Sequence, residues 1–554
     1  MTDQGFLDAA FLVEVGPYGF GRQIQRALPL AGYTEVANID GPGDAGGDLI
    51  ANLNGAVWVF QAKWKKHPAT ATVGEDAVDE VQHALSVYGG NVGVVVTNAR
   101  MSVGAKRRAR TLTSLGQTIH LWDRDTLQAL PGRLRLPRKF ELRTYQAQAV
   151  DVLWNDLSEH KRALAYLATG LGKTVVAGSI IERFLDAKPD ARIAVVAHSD
   201  DLVDQLETAM WRNLPEHVRT RKLGGGERPD SLDGVTFAVL PTAARYVENG
   251  YRPDLLIVDE AHHVGESGHY ARIFDHLHDI PRLGVTATPW RGDKFDIESE
   301  FRAPGVRISI SDGISNGYLS KVKYRLFSDN IDWDFVKASS EHGYAIKDLN
   351  RQLFLPQRDE EIRDRLYEVW ERTTRPRGIV FCQTIEHAER MARMLRALPD
   401  WRNAEAIHAK LTKRERQQRL LRFRSGATQV LTSVDLLNEG VDVPDVNVLC
   451  FARVTHSRRI FIQQLGRGLR LQSGKSHVEV LDFVSDIRRV AAVTDLARQT
   501  IGETEVLPLD TCAEFIFEDQ RITSLLDEWL ADVGDLEGAD DSVRLEFPPS
   551  ELML

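Results

Sequence analysis

From about residue 143 the sequence alternates short apolar runs with longer amphipathic stretches. The first set of runs is ALAYLATG (163–170), IAVVAHS (193–199), VTFAVLPT (235–242), LLIVDEAHH (255–263) and RLGVTATP (282–289). Runs this short and this uniformly apolar read as strands covered on both faces. A second set follows: GIVFCQT (378–384), AEAIHA (404–409), QVLTSV (429–434), VNVLCFAR (446–453) and VEVLDFV (478–484). The alternation predicts parallel sheets flanked by helices, in two successive α/β domains. Before residue 130 the order differs: a helix candidate, strands, then helix and strand again. PGRLRLPRKFELR (131–143) is rich in Pro and Arg and reads as a basic linker. The expected organisation is an N-terminal domain over 1–130, a linker over 131–142, α/β domains over 143–310 and 311–485, and a helical acidic segment over 486–554.

Length agrees with several domains, since 554 residues exceed what one hydrophobic core holds together. Apolar residues make up 43% and charged residues 27%, as in ordinary globular proteins. No apolar run approaches the roughly 20 residues that span a bilayer. The N-terminus, MTDQGFLDAAFLVEVG, lacks the basic start of a signal peptide, so the expected location is cytoplasmic. Cys382, Cys450 and Cys512 lie far apart in sequence, without zinc spacing, and read as free thiols.

The formal net charge of −10 would argue against a nucleic-acid partner if it were evenly spread. Residues 501–554 hold 15 acidic and two basic residues, which leaves the rest of the chain at +3. A mildly basic body with an acidic tail is compatible with DNA or RNA. The apolar stripe of ITSLLDEWL (522–530) offers a helix that packs on the body, docks a partner, or brings acidic charge to a basic cleft.

LATGLGKT (167–174) follows one strand run and opens a helical pattern. A glycine-rich loop in that position turns backbone N–H groups toward phosphates, with Thr169, Gly170 and Gly172 shaping it. Lys173 reaches the β/γ-phosphates and Thr174 holds Mg²⁺. In LLIVDEAHH, Asp259 ends a buried strand where it can order Mg²⁺ hydration, and Glu260 is placed to activate water. His262 would link that site to its surroundings. Arg467 and Arg470 are three apart, so on a helix they share a face and suit the role of arginine fingers.

These segments resemble the motifs of superfamily 2 helicases: LATGLGKT, VDEAHH, TATP (286–289), GIVFCQT, TSVDLLNEGVDVP (432–444) and QQLGRGLR (463–470), in family order over roughly 140–485. Leu167 departs from the family's glycine. LRTYQ (142–146) resembles the entry motif, in which Gln146 reads the adenine edge, and Gly440 and Asp442 fall in the motif that completes the nucleotide site. The resemblance implies ATP hydrolysis that closes and reopens the two α/β domains to move nucleic acid. Thr242, Thr286 and Thr432 are candidate backbone-phosphate contacts. The form of LRTYQ and the DEAH box is more similar to DNA-translocating members than to RNA unwinders; RNA stays open.

In the first domain, Asp48 ends a glycine-rich turn and FQAKW (60–64) follows on a strand. Alternation puts Gln61 and Lys63 on one face. An exposed Gln and Lys on a surface strand would be unremarkable alone. GDAGGDLI (43–50), FQAKW, VGVVVTNARMS (92–102) and LWDRDTL (121–127) together resemble the Mrr-type restriction endonuclease family over about 16–130. The resemblance implies that Asp48 and the Gln61 amide oxygen bind Mg²⁺ and that Lys63 orients water and stabilises phosphate charge. Where the family's first helix has Phe-Glu, this chain has Phe20 and Gly21, and Glu14 is the nearest acid before it. Lys65, Lys66, Lys106, Arg107, Arg108 and Arg110 are candidate phosphate contacts.

The combined expectation is an α/β nuclease–translocase. It uses ATP and Mg²⁺ on duplex DNA, in restriction or antiphage defence, with companion restriction, modification or defence subunits and no membrane. Two alternatives stand beside it: a repair or remodelling helicase whose first domain only binds DNA, and an NTP-dependent sensor that recruits an effector.

Overall fold

The structure is a computed structural model that describes residues 5–41, 45–130, 141–215, 217–265, 268–287, 296–327, 343–345, 348, 359–434, 446–452, 464–466, 468–471, 475–483, 486–501, 513–517 and 544–546. It divides into two compact units: 1–165 with 172–307 and 412–418, and 166–171 with 308–411 and 419–554. The described residues contain no helix long and apolar enough to cross a membrane.

The first unit opens with α1 (Ala9–Glu14) and α2 (Gly16–Leu30). The Asp8 carboxylate accepts the backbone N–H groups of Ala10 and Phe11, which fixes the start of α1. Along α2 the buried Phe20, Ile24, Ala27 and Leu28 recur at helical spacing. The sheet follows: β1 (Thr34–Asn38), β2 (Leu49–Leu53) and β3 (Ala56–Lys63). A short β4 (Thr72–Val73) precedes α3 (Asp76–Tyr88), β5 (Val92–Thr97), β6 (Arg100–Met101), α4 (Val103–Ser114), β7 (Thr118–Trp122) and α5 (Arg124–Ala129). The strand order is β1-β2-β3-β5-β7, antiparallel across β1, β2 and β3 and parallel across β3, β5 and β7. Phe6, Phe11, Phe20 and Phe60 are buried in its core, where Tyr33 meets Phe60 edge-on at 5.5 Å.

The same unit continues with α6 (Thr144–His160), β8 (Arg162–Leu167), α7 (Lys173–Ala187), β9 (Ile193–Ala197) and α8 (Asp200–Met210). Then come β10 (Thr220–Leu223), β11 (Val235–Val239), α9 (Leu240–Glu248), β12 (Leu255–Asp259), α10 (His269–His276), β13 (Arg282–Thr286), α11 (Glu298–Phe301) and β14 (Val306–Ile308). The sheet order is β10-β11-β9-β12-β13-β8-β14, with parallel pairing from β10 through β13. The buried IAVVA and LLIVD runs are its inner strands, as two covered faces require.

Within this unit α2 packs directly on the α/β lobe. The Arg22 guanidinium donates to Glu207 Oε1 of α8 at 2.5 Å and to both carboxylate oxygens of Glu227 at 2.7 Å. Burial alone would lower the Arg22 pKa, but Glu207 and Glu227 outweigh it and hold it above the ordinary value. Arg26 donates to the carbonyls of Val218 and Pro215. Arg221, 1% exposed, donates to Glu14 at 2.7 Å and to Asp233 at 2.9 Å, and lies over the Phe11 ring.

The second unit begins its strands after α12 (Ile310–Ser315) with β15 (Lys321–Phe327) and β16 (Gly343–Ala345). Then follow β17 (Gly378–Cys382), β18 (Glu405–Ile407), β19 (Val430–Ser433), β20 (Val448–Ala452), β21 (His477–Phe483), β22 (Ala513–Phe517) and β23 (Arg544–Glu546). Seven of them form a parallel sheet, β18-β19-β17-β20-β21-β15-β22, and β16 pairs antiparallel with β23. Its core holds Trp401, fully buried, edge-on to Trp370 at 5.3 Å. The acidic C-terminal region is more than helical: after helix Ile487–Ile501 it supplies the edge strand β22. ITSLLDEWL and linker residues 131–140 lie outside the described residues. Cys382 and Cys450, remote in sequence, sit on the adjacent strands β17 and β20 as buried thiols outside any disulfide, and burial pushes Cys450 up.

Candidate active sites

The loop between β8 and α7 is shaped by two glycines with positive φ, Gly170 at 93° and Gly172 at 86°. Gly172 is also the N-cap of α7, so the first backbone N–H groups of that helix open toward the loop. A Cβ on Gly172 would lie 2.5 Å from Gln146 Nε2, so the Gln146 amide rests on the loop. Its Oε1 accepts the Arg143 N–H at 3.1 Å, which ties LRTYQ to that position. Lys173 and Thr174 begin α7, and Lys173 Nζ lies 3.8 Å from Glu260 Oε1.

Asp259 is the last residue of β12, buried, with Glu260 next in a left-handed conformation (φ 48°, ψ 53°). That conformation costs a non-glycine residue about 1–3 kcal/mol and concentrates at functional sites. Burial, then the adjacent Glu260 charge, pushes the Asp259 carboxyl up to about 7 despite Lys173. Two neighbouring carboxylates under that strain fit a divalent cation, which relieves both. His262 Nδ1 lies 2.8 Å from Thr286 Oγ1 and 3.3 Å from Glu260 Oε2, so VDEAHH is joined to TATP through one imidazole. Sequence reasoning missed the rings beside it: His263 is 4.3 Å from His262 and 4.4 Å from His198 at the end of β9.

Tyr166–Leu171 are themselves part of the second unit. There a Cβ on Gly466 would meet Thr169 Cβ at 2.5 Å, and one on Gly170 would meet Arg470 Cγ at 3.4 Å. The structure thus brings Thr169, Gly170, Gly466 and Arg470 together. Arg467, Gly440 and Asp442 lie outside the described residues.

In the first domain the register of β2 on β3 pairs Leu49 with Phe60, which sets Asp48 opposite Gln61. Asp48 Oδ2 accepts Gln61 Nε2 at 3.0 Å and the Ala62 N–H at 2.5 Å. Gln61 is 6% exposed, and its Oε1 is buried with no hydrogen-bond partner among the described residues. An orphaned amide oxygen beside a carboxylate fits a hard cation, with Asp48 and Gln61 as the oxygen ligands. Lys63 is ion-paired with Glu80 of α3, a residue sequence reasoning missed because it arrives from another element. Glu14 does not reach this site; its carboxylate is taken by Arg221 and Arg219.

The structure also places the other candidate phosphate contacts. Thr286 and Thr432 are fully buried and bonded internally, to His262 and to the Ala388 carbonyl, while Thr242 is half-buried. Of the basic residues on the first domain, Lys66, Lys106, Arg107 and Arg110 are exposed, while Arg108 is paired with Asp79.

Three family models match consecutive segments. Residues 12–130 match Restriction endonuclease, 139–291 match Type III restriction enzyme, res subunit, and 360–472 match Helicase conserved C-terminal domain. The chain joins a Mrr-type restriction endonuclease domain to a superfamily 2 helicase core. A 51.5 kDa protein of Lactococcus phage (isolate 7-9) is 29% identical, over 57% of this chain and 64% of its own. DNA 3'-5' translocase XPB2 of Sulfurisphaera tokodaii is 28% identical over 63% of this chain and 82% of its own. The Type I restriction enzyme EcoAI endonuclease subunit of Escherichia coli is 26% identical over 62% of this chain and 46% of its own. The chain covers less than two-thirds of the length of the first curated relatives it matches. Among solved structures, the ATP-dependent Type ISP restriction-modification enzyme LlaBIII bound to DNA shares the fold, with a TM-score of 0.51 at 17% identity over 93% of this chain and 41% of that one.

Proposed function

We propose that this nuclease–helicase moves along duplex DNA by hydrolysing ATP and cuts it with Mg²⁺, in restriction or antiphage defence. The observation that carries the reading is that one compact unit holds both Asp48–Gln61–Lys63 and Lys173–Asp259–Glu260, joined through the buried Arg22 contact. The names of the relatives, a phage protein, a DNA translocase and a restriction endonuclease subunit, support it.

On this reading the loop N–H groups and Lys173 hold the nucleotide's phosphates, and Gln146 stands where an adenine edge is read. Thr174 and Asp259 would hold Mg²⁺ and Glu260 takes the proton of the attacking water, while Arg467 and Arg470 keep the arginine-finger role that the helicase resemblance gives them. In the nuclease site Asp48 and Gln61 would hold the second Mg²⁺, and Lys63 orients water and meets the phosphate. When bound, the cations neutralise phosphate charge and lower the pKa of ligated water. Companion subunits would supply target recognition.

Plasmid cleavage with Mg²⁺, with and without ATP, tests the reading in wild type, Lys63→Ala and Lys173→Ala. Cutting lost in Lys63→Ala, and lost ATP dependence in Lys173→Ala, support it. DNA-stimulated ATPase without cutting under any condition refutes the nuclease half and leaves a DNA-gripping domain on a motor.

A further inference from the structure

The nuclease domain carries a carboxylate that its motif does not include. Glu80 lies on α3, 17 residues after Lys63, and its carboxylate is ion-paired with the Lys63 ammonium. The loop that carries Asp48 also rests on Glu80. Gly46 adopts φ +82°, and a Cβ there would lie 2.8 Å from Glu80 Cβ and 2.9 Å from the Glu80 carbonyl oxygen. Only a residue without a side chain lets the two backbones approach this closely. Glu80 therefore touches both arms of the site, the Lys63 side chain directly and the Asp48 loop through its backbone.

A partly exposed Lys–Glu pair contributes little to stability by itself and needs no function. Two observations at this pair go further. Lys63 is two residues along the strand from Gln61, on the same face, and the buried Gln61 Oε1 has no partner among the described residues beside Asp48. Glu14, the acid that precedes the family's usual position in sequence, is bound by Arg221 and supplies nothing to this centre.

We infer that Glu80 is a positioning residue of the nuclease site, holding the Lys63 ammonium beside Asp48 and Gln61 where the scissile phosphate docks. A lysine has a flexible four-carbon stem, and its ammonium acts on a phosphate only if the stem is held. Glu80 fixes it from a second element, as a buttressed site requires. The inference rests on the nuclease reading above.

The test uses full-length protein with supercoiled plasmid, Mg²⁺ and ATP, comparing wild type, Glu80→Gln, Glu80→Ala and Lys63→Ala. Glu80→Gln keeps the size and helix propensity of the side chain, so it guards against a folding defect in Glu80→Ala. The expected result is a single-turnover cutting rate lowered ~10- to ~100-fold in both Glu80 variants, as for a misplaced reacting group, with plasmid affinity unchanged. Without Mg²⁺ or DNA, acylation of Lys63 by an amine-reactive ester, read by mass spectrometry, should rise severalfold in both. Wild-type rate in Glu80→Gln and Glu80→Ala, with cutting lost in Lys63→Ala, overturns the Glu80 proposal alone. So does Lys63 acylation equal to wild type. Wild type that cuts no plasmid overturns the nuclease reading and this inference with it.

Discussion

Arg22→Ala would remove three charge-assisted hydrogen bonds from the junction of α2 with α8 in one step. The cost comes mainly from what is stranded. Glu207 is 1% exposed and the Glu227 side chain 10%, so two carboxylates lose their counter-ion away from water. Breaking a buried pair from one side costs about 3–5 kcal/mol. The three bonds, at roughly 1.5–3 kcal/mol each, reach that range without being fully additive. A multidomain chain does not unfold in one step, so a global melting temperature is the wrong measure. Hydrogen exchange at α2 and α8 reports the junction itself. At 1.4 kcal/mol per tenfold, opening should become at least ~100-fold more frequent. If stranded charge is the cause, Arg22→Met with Glu207→Gln and Glu227→Gln should recover most of the protection, since an uncharged junction has nothing to strand. Exchange in Arg22→Ala within about threefold of wild type, or a triple variant as weak as the single, would refute the reasoning.

Other consequences are smaller or more local. Glu260→Gln should abolish ATP hydrolysis while keeping nucleotide binding, measured by steady-state ATPase and by fluorescent-nucleotide titration. Gly172→Ala places a Cβ at φ 86° and 2.5 Å from Gln146 Nε2, so ATP affinity should fall about tenfold or more, one backbone strain of ~1–3 kcal/mol. Burial favours the protonated Asp233 carboxyl, but Ser231 and Arg221 outweigh it and hold it down at about 2. Its pairing with Arg221 therefore contributes stability above the usual carboxylate range and loses it as pH falls toward about 2. The effect is small for a half-exposed group. Asp233→Asn should flatten the acid limb of an unfolding titration there without altering stability at neutral pH by more than about 1 kcal/mol.

The chain's contiguous chemistry could be read without a structure. The strand, tight glycine turn and helix start of LATGLGKT are contiguous, so that geometry could be read within eight residues. The same holds for Asp259 at a strand end, and for Gln61 and Lys63 two apart on one strand, because strand periodicity alone sets their common face. Folding decided what depends on distant partners. Arg22 meets Glu207 across 185 residues of sequence, and no local pattern marks either as half of a buried pair. Glu14 looked like a spare acid for the nuclease and is instead spent on Arg221, 207 residues away. Glu80 looked like one more polar helix position until α3 packed it against Lys63 and the Asp48 loop. Thr286 and Thr432 carry the residue type of phosphate contacts, yet the strands that hold them are covered on both faces. Local backbone preference and side-chain alternation are properties of a segment, so sequence fixes them. Burial and charge pairing are properties of the packed whole, and only the tertiary structure assigns them.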